Sequence, residues 1–282
     1  MADPLFDSAW LKWGQAIVHT HTLYAEIEAF RVDGRNDPLV AFRTEYHANR
    51  HGFSVIAEQI APVPAYWRLL LGDIANNYRS ALDHLAWALV GRGRTPQPFL
   101  TPRQREAVYF PIYDERAKYN AALHRKLPGV RRADLAIVRL AQPYRRGARL
   151  RPSHVLTILS GINTRDKHRT IQPIWVQPTG VDIEITDARD CLPSKRRSIG
   201  KGHPLQIGTE LTFIPARKIG PNPEIDVQPR VTAEPSIGNR ISIKEWGDKS
   251  GIYVFNILRS FADQPDEVGE LPGISWQRVQ LP

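Results

Sequence analysis

The sequence predicts an α+β fold: an N-terminal helical bundle with an inserted β-hairpin, followed by a small, mostly antiparallel β-rich region. Three observations carry this reading. Apolar residues recur at helical spacing over 5–30 and again over about 64–91. Between them, residues 39–60 alternate apolar and polar side chains. After about residue 172 short alternating segments separated by Gly and Pro replace the helical pattern. The implied organisation is a bundle over 1–172 with its hairpin near 39–60, and a β-rich region over 173–282.

The first helix is marked by Leu5, Trp10, Trp13, Ile17, Leu23, Ile27 and Phe30, and Gly34 and Pro38 end it. Val40, Phe42, Thr44 and Tyr46 then alternate, His51-Gly52 turns the chain, and Phe53, Val55 and Ala57 alternate again. Pro62 and Pro64 close the hairpin and suit the first turn of the next helix. That helix is the clearest element in the chain. Trp67, Leu70, Leu71, Ile74, Tyr78, Leu82, Leu85 and Leu89 form one long apolar stripe, and Gly91 and Gly93 stop it. Such a helix belongs at the centre of a bundle.

Residues 94–130 hold five prolines and read as a loop-rich excursion around a short helix near 115–126. Helices are expected over 131–142 and 152–163. Val181–Ile185, Ile207–Phe213, Glu224–Val231 and Ile241–Ile243 alternate and read as strands, with a helix or strand near 251–262. No internal repeat is visible.

The chain has 282 residues, 42% of them hydrophobic and 24% charged, which fits a globular protein and excludes disordered or collagen-like classes. No apolar run approaches the roughly 20 residues of a membrane helix. Met1-Ala2-Asp3-Pro4 does not open a secretory signal. Cys191 is the single cysteine, which excludes an intramolecular disulfide and cysteine-rich metal or iron–sulfur sites. A soluble, cytoplasmic protein without membrane contact is expected. The net charge is +9, carried by roughly three Arg per Lys. Arg binds phosphate through a planar two-pronged fork, so the balance points to a polyanion, most simply nucleic acid. A GC-rich genome would also raise the arginine content.

The central helix carries Asp73, Asn76, Asn77, Arg79, Ser80, Asp83 and His84 between strongly apolar flanks. Packing does not require such a cluster, and each buried polar group needs a partner. Asp73, Asn77, Ser80 and His84 fall on one line of the helix, and Asn76, Arg79 and Asp83 on a neighbouring one. Arg79 and His84 are about 140° apart, so one site would need a wrapped Arg side chain, a second helix or a second copy. The structural alternative is an Arg79–Asp83 ion pair at i, i+4, with His84 bonded to a neighbouring carbonyl.

Arg79-Ser-Ala-Leu-Asp-His84 resembles the Arg-x4-His signature of HEPN-type ribonucleases. The family usually carries Asn, Asp or His directly after the Arg, where this chain has Ser80. The resemblance implies a helical bundle acting as a homodimer without a metal or other cofactor, often in toxin or phage-defence settings. It implies that Arg79 stabilises the scissile phosphate and that His84 moves a proton at the ribose 2′-hydroxyl or the leaving oxygen, with Asp83 and Asn77 orienting them. The wider pattern, Leu71-Gly-Asp followed by Asn77–Leu85 and a later Asp166-Lys-His-Arg169, also resembles a group of actinobacterial and phage-associated proteins of unassigned function.

A second constellation, Asp166, Lys167, His168 and Arg169, ends the 152–163 helix. It joins Arg79, Asp83 and His84 in one site if its helix packs beside the central one at that level. Otherwise it complements the helix dipole as a cap. Asp73, Asp83, His84, Asp166 and His168 are metal-ligand types, but no tight ligand spacing is present. His47 and His51 straddle a hairpin turn, and His19 and His21 point about 200° apart. No metal is expected.

Arg125, Lys126, Arg131, Arg132, Arg139, Arg145, Arg146, Arg149 and Arg151 form a basic stretch in which Asp134 is the sole acid. They suit phosphate contacts with RNA or DNA without sequence preference. Lys195, Arg196, Arg197 and Lys201 form a shorter run between β segments, which reads more readily as a solvated loop than as a phosphate-contact surface. Phosphate-loop, dinucleotide-binding and hydrolase-elbow motifs are absent. The expectation is therefore an endoribonuclease, or alternatively a non-enzymatic nucleic-acid-binding or scaffold protein whose central polar cluster is structural.

Overall fold

The computed structural model describes residues 4–30, 40–93, 99–168, 174–185, 206–215, 227–237 and 241–262. The fold is mixed α+β: among the described residues one α-helix leads into a β-hairpin, five α-helices follow, and four strands and a last α-helix complete the order. The α-helices are α1 (Asp7–Phe30), α2 (Ala65–Arg92), α3 (Pro102–Glu106), α4 (Arg116–Lys126), α5 (Arg132–Leu140), α6 (Val155–His168) and α7 (Ile243–Arg259). The strands are β1 (Val40–His47), β2 (Gly52–Ile60), β3 (Ile174–Ile185), β4 (Glu210–Pro215), β5 (Val227–Ile237) and β6 (Ile241–Ser242). Packing divides the chain into two compact units. One comprises Met1–Leu23, Arg68–Gln172 and Lys244–Pro282, and the other Tyr24–Trp67 and Pro173–Ile243.

The second unit holds two three-stranded antiparallel sheets, ordered β1-β2-β4 and β3-β5-β6. The β1–β2 hairpin turns at His51, whose φ of 47° lies in the left-handed region. Arg50 grips Glu210 on β4 at 2.6 Å and lies 4.0 Å above the Phe213 ring. That guanidinium, with the Ser54 hydroxyl, holds the Glu210 carboxyl down at about 2.

In the helical unit, α2 buries Leu71, Ile74, Tyr78, Leu82, Leu85 and Leu89, the stripe read from the sequence. Three helices meet at Tyr78. The Trp13 indole on α1 donates to Gly251 O on α7 at 3.0 Å. A Cβ on Gly251 would lie 2.9 Å from the Tyr78 hydroxyl and 3.1 Å from Ile17, so only glycine permits this approach. Burial pushes the Tyr78 phenol up, and its hydroxyl lies 3.5 Å from Thr20 Oγ1. The α7 helix buries Trp246, Val254, Ile257 and Leu258. At the far end of α2, Arg92 donates to Asp134 Oδ1 on α5 at 2.8 Å and to Phe261 O at 3.2 Å.

Buried His154 precedes α6. Its Nδ1 accepts from Leu156 N at 3.2 Å, which caps the helix. Its Nε2 lies 3.3 Å from the Tyr253 hydroxyl, which itself donates to Ala141 O at 3.0 Å. With the phenol proton committed to Ala141, Nε2 carries the imidazole proton and Nδ1 is bare, so the network requires the neutral ring. Burial, helped by the Arg146 charge, lowers His154 to about 4.

A histidine depressed in the folded state contributes stability that is complete above its unfolded value near 6.5 and is lost as pH falls toward 4. Thermal melts should therefore show Tm falling across that window. His154→Asn, which keeps a capping acceptor but does not titrate, should flatten this acid limb; an unchanged slope in the variant would contradict the network.

Candidate functional site

Helix α2 presents Arg79 and His84 to different neighbours. Arg79 folds along its own helix to Asp83, one turn on, with Nη2 2.8 Å from Oδ1 and Nε 3.1 Å from Oδ2. The same Nη2 donates to Phe110 O at 2.8 Å, and Asp83 Oδ1 accepts from Phe110 N at 3.0 Å. The pair thus grips both backbone groups of one residue in the segment between α3 and α4. The two side chains are only 14% and 21% exposed, so little of the guanidinium is open to a ligand. Buried Gln142 pins the residues on either side of Ile112, donating to Pro111 O at 2.7 Å and accepting from Tyr113 N at 3.2 Å.

His84 is half-buried, and it stands on the other line of the helix. Burial lowers its pKa first and the Lys12 ammonium on α1 lowers it further, while Asp83 opposes them. Asn77 is buried, and its amide donates to Asp73 O at 2.9 Å, one turn back along the helix. Among the described residues no bond ties Asn77 to Arg79 or His84.

Helix α6 does pack beside α2, at a different level from the Arg79–His84 turn. A Cβ on Gly72 would fall 2.7 Å from Asp166 Oδ1, so glycine there admits the carboxylate. Gly72 is eleven residues before Asp83, about 16 Å of helix rise. Asp166 therefore does not join Arg79, Asp83 and His84. Lys167 and His168 close α6, but their side chains, and all of Arg169, lie outside the described residues. So do Lys195, Arg196, Arg197 and Lys201. Among the described residues no three His, Cys, Asp or Glu side chains gather as metal ligands.

The basic stretch is distributed over four places. Arg125 and Lys126 end α4, Arg131 and Arg132 open α5 and Arg139 lies near its end, and Arg145, Arg146, Arg149 and Arg151 fill the turns before α6. All are exposed except Lys126 and Arg151, which are half-buried. The Lys126 ammonium sits 4.3 Å from the Tyr109 ring centre. Burial and the charges of Arg125 and Arg79 lower its pKa, while Asp83 opposes them. Asp134, the only acid between residues 116 and 165, is buried against Arg92, so that segment shows solvent no carboxylate.

A feature not read from the sequence is a cleft of about 350 Å3 in the helical unit. Ile112 and Asp114 line one side, and Thr157, Ser160, Gly161, Thr164 and Arg165 of α6 line the other. The available signal was the small polar set at i, i+3, i+4 and i+7, set off from the buried Leu156, Leu159 and Ile162.

Comparison with protein-family models, curated proteins and solved structures gives no match to this chain.

Removing Arg79 would leave the Asp83 carboxylate and Phe110 O short of a donor in a poorly solvated place. Arg79→Ala should cost about 2 kcal/mol and lower Tm by roughly 4–8 °C. Arg79→Lys, lacking the fork that serves two acceptors, should recover less than half of the loss. A melt of Arg79→Ala matching wild type would show that the pair holds nothing.

Proposed function

We propose that the chain binds RNA, or a polyanion of similar charge density, through the exposed arginines of the 125–151 stretch. The carrying observation is the lopsided charge: seven exposed arginines with half-buried Lys126 and Arg151 beside them, and the single acid of the stretch buried in an ion pair. Each exposed guanidinium can take two phosphate oxygens, and displacing counterions from the strand drives association. In this reading the Arg79–Asp83 pair is part of the scaffold. It holds the Phe110 segment in place, and binding does not depend on Arg79 touching a phosphate.

The second reading is a metal-independent ribonuclease of HEPN-like character, in a toxin or phage-defence setting, and one observation favours it. His84 is half-buried, and burial with the nearby Lys12 charge lowers its pKa, which favours the uncharged ring. A neutral imidazole can take the 2′-hydroxyl proton of RNA while that oxygen attacks phosphorus; the P–O5′ bond breaks and the 5′-oxygen takes a proton from water, giving a 2′,3′-cyclic phosphate and a 5′-hydroxyl. Because Arg79 is committed to Asp83 and Phe110, the cation stabilising that phosphate would come from elsewhere, such as a second copy in a homodimer.

Replacing Arg145, Arg146 and Arg149 together by Ala should weaken binding of a mixed-sequence single-stranded RNA by roughly ten-fold or more. The plot of log K against log salt should become shallower by about two. An unchanged salt slope would remove this face from RNA binding. Incubating RNA with wild type and His84→Ala in excess EDTA separates the two readings. Cyclic-phosphate ends from wild type alone would establish the nuclease, and intact RNA bound equally by both proteins would support binding alone.

A further inference from the structure

The cleft beside α6 has a lining that a purely electrostatic RNA face does not need. Thr157, Ser160 and Thr164 place three hydroxyls on one helix face, each able to donate and accept. Gly161 sits among them, and a Cβ there would meet nothing within 4 Å, so the helix backbone forms an open floor. Across the cleft stand apolar Ile112 and the carboxylate of Asp114, with the Arg165 guanidinium on the helix side. The carboxylate only accepts hydrogen bonds and the guanidinium only donates. Thr157 Oγ1 is itself buried, so Ser160 and Thr164 are the hydroxyls this face offers to a ligand.

The far wall is preformed. Gln142 holds Pro111 and Tyr113, and Arg79 with Asp83 holds Phe110. Tyr144 N donates to Tyr113 O at 3.3 Å, which ties this wall to the Pro143–Arg145 turn. One backbone hydrogen bond thus connects the wall of the cleft to the turn that carries Arg145.

We propose that the cleft is a nucleobase subsite selecting guanine, in a strand whose phosphates lie on the adjoining arginines. This rests on the RNA-binding reading above and names the base that reading leaves open. Guanine carries two adjacent donors, N1–H and N2–H, which one carboxylate can accept together. Its O6 and N7 are a pair of acceptors suited to a guanidinium. Adenine offers an acceptor at N1, which would face the Asp114 carboxylate without a proton between them. Cytosine and uracil lack the second ring. A volume near 350 Å3 admits a purine with its ribose, and the hydroxyls of α6 can serve the sugar edge. A small zwitterion would also meet Asp114 and Arg165, but it gives no role to the cationic turn alongside.

Calorimetric titration of the full chain with guanosine, adenosine and cytidine 5′-monophosphates tests the subsite. A short RNA carrying one guanine, against the same RNA with adenine there, tests the strand. Guanosine monophosphate should bind at least ten-fold more tightly than the other two, and the guanine-bearing RNA should show the same preference. Asp114→Asn should abolish the preference, because the amide gives guanine one acceptor fewer and offers a donor to adenine N1. Gly161→Leu fills the open floor, so it should remove guanosine monophosphate binding without lowering Tm. Equal affinity for the three nucleotides, or an Asp114→Asn variant that keeps its preference, would overturn the subsite even where RNA still binds the arginine face. Selectivity for the free nucleotide with none in the RNA would overturn the placement of the cleft on a strand. RNA that binds neither the wild type nor the arginine variants would instead overturn the reading on which it rests.

Discussion

The grip of Arg79 and Asp83 on the backbone of Phe110 is the constraint on which the candidate surface depends. An i, i+4 pair on an exposed helix adds a few tenths of a kcal/mol. Here the pair is mostly out of water, and both partners are also bonded to one peptide segment that carries no secondary structure of its own. The residues that follow Phe110 form a wall of the cleft and, through Gln142 and Tyr144, connect to the arginine-bearing turns before α6. Two charges on α2 thus position a surface made by residues thirty to seventy positions later in the chain.

The same geometry decides how the Arg-x4-His resemblance bears on this chain. A phosphate ligand needs free donors, and three donor contacts of Arg79 are spent on Asp83 and Phe110. His84 keeps an edge toward solvent and a lowered pKa, with Lys12 as its charged neighbour. Charge for an anionic partner is concentrated instead in the 125–151 stretch. Its one acid being buried against Arg92 makes the exposed surface more one-sided than the composition shows.

Much of the fold was legible because periodicity is local. The α1 and α2 stripes and the alternation across β1 and β2 each follow from residues close in sequence. Helix α7 was less legible. Ile241-Ser-Ile243 alternates like a strand, yet pairing stops at Ser242 and the helix begins at Ile243. Trp246, Val254, Ile257 and Leu258 then pack at helical spacing in the helical unit, a tertiary preference that a three-residue alternation does not reveal. Within the candidate site, the Arg79–Asp83 pair was readable from its i, i+4 spacing. Its third partner was not, because a backbone amide and carbonyl leave no mark on a sequence. The level at which α6 meets α2 was likewise unreadable: the Asp166 carboxylate lies against Gly72, about 16 Å of helix rise from Asp83. The cleft went unread because its α6 side is small and polar, a pattern shared with any solvated helix face until a loop covers it.

A double-mutant cycle on Arg79 and Asp83, each replaced by Ala singly and together and followed by equilibrium urea unfolding, tests the central claim most directly. The account predicts a coupling energy of about 1–2 kcal/mol, with the double variant less destabilised than the sum of the single ones. Additive losses near zero, with RNA affinity or cleavage abolished by either single change in a protein as stable as wild type, would contradict it. Arg79 would then belong to the ligand and not to the scaffold.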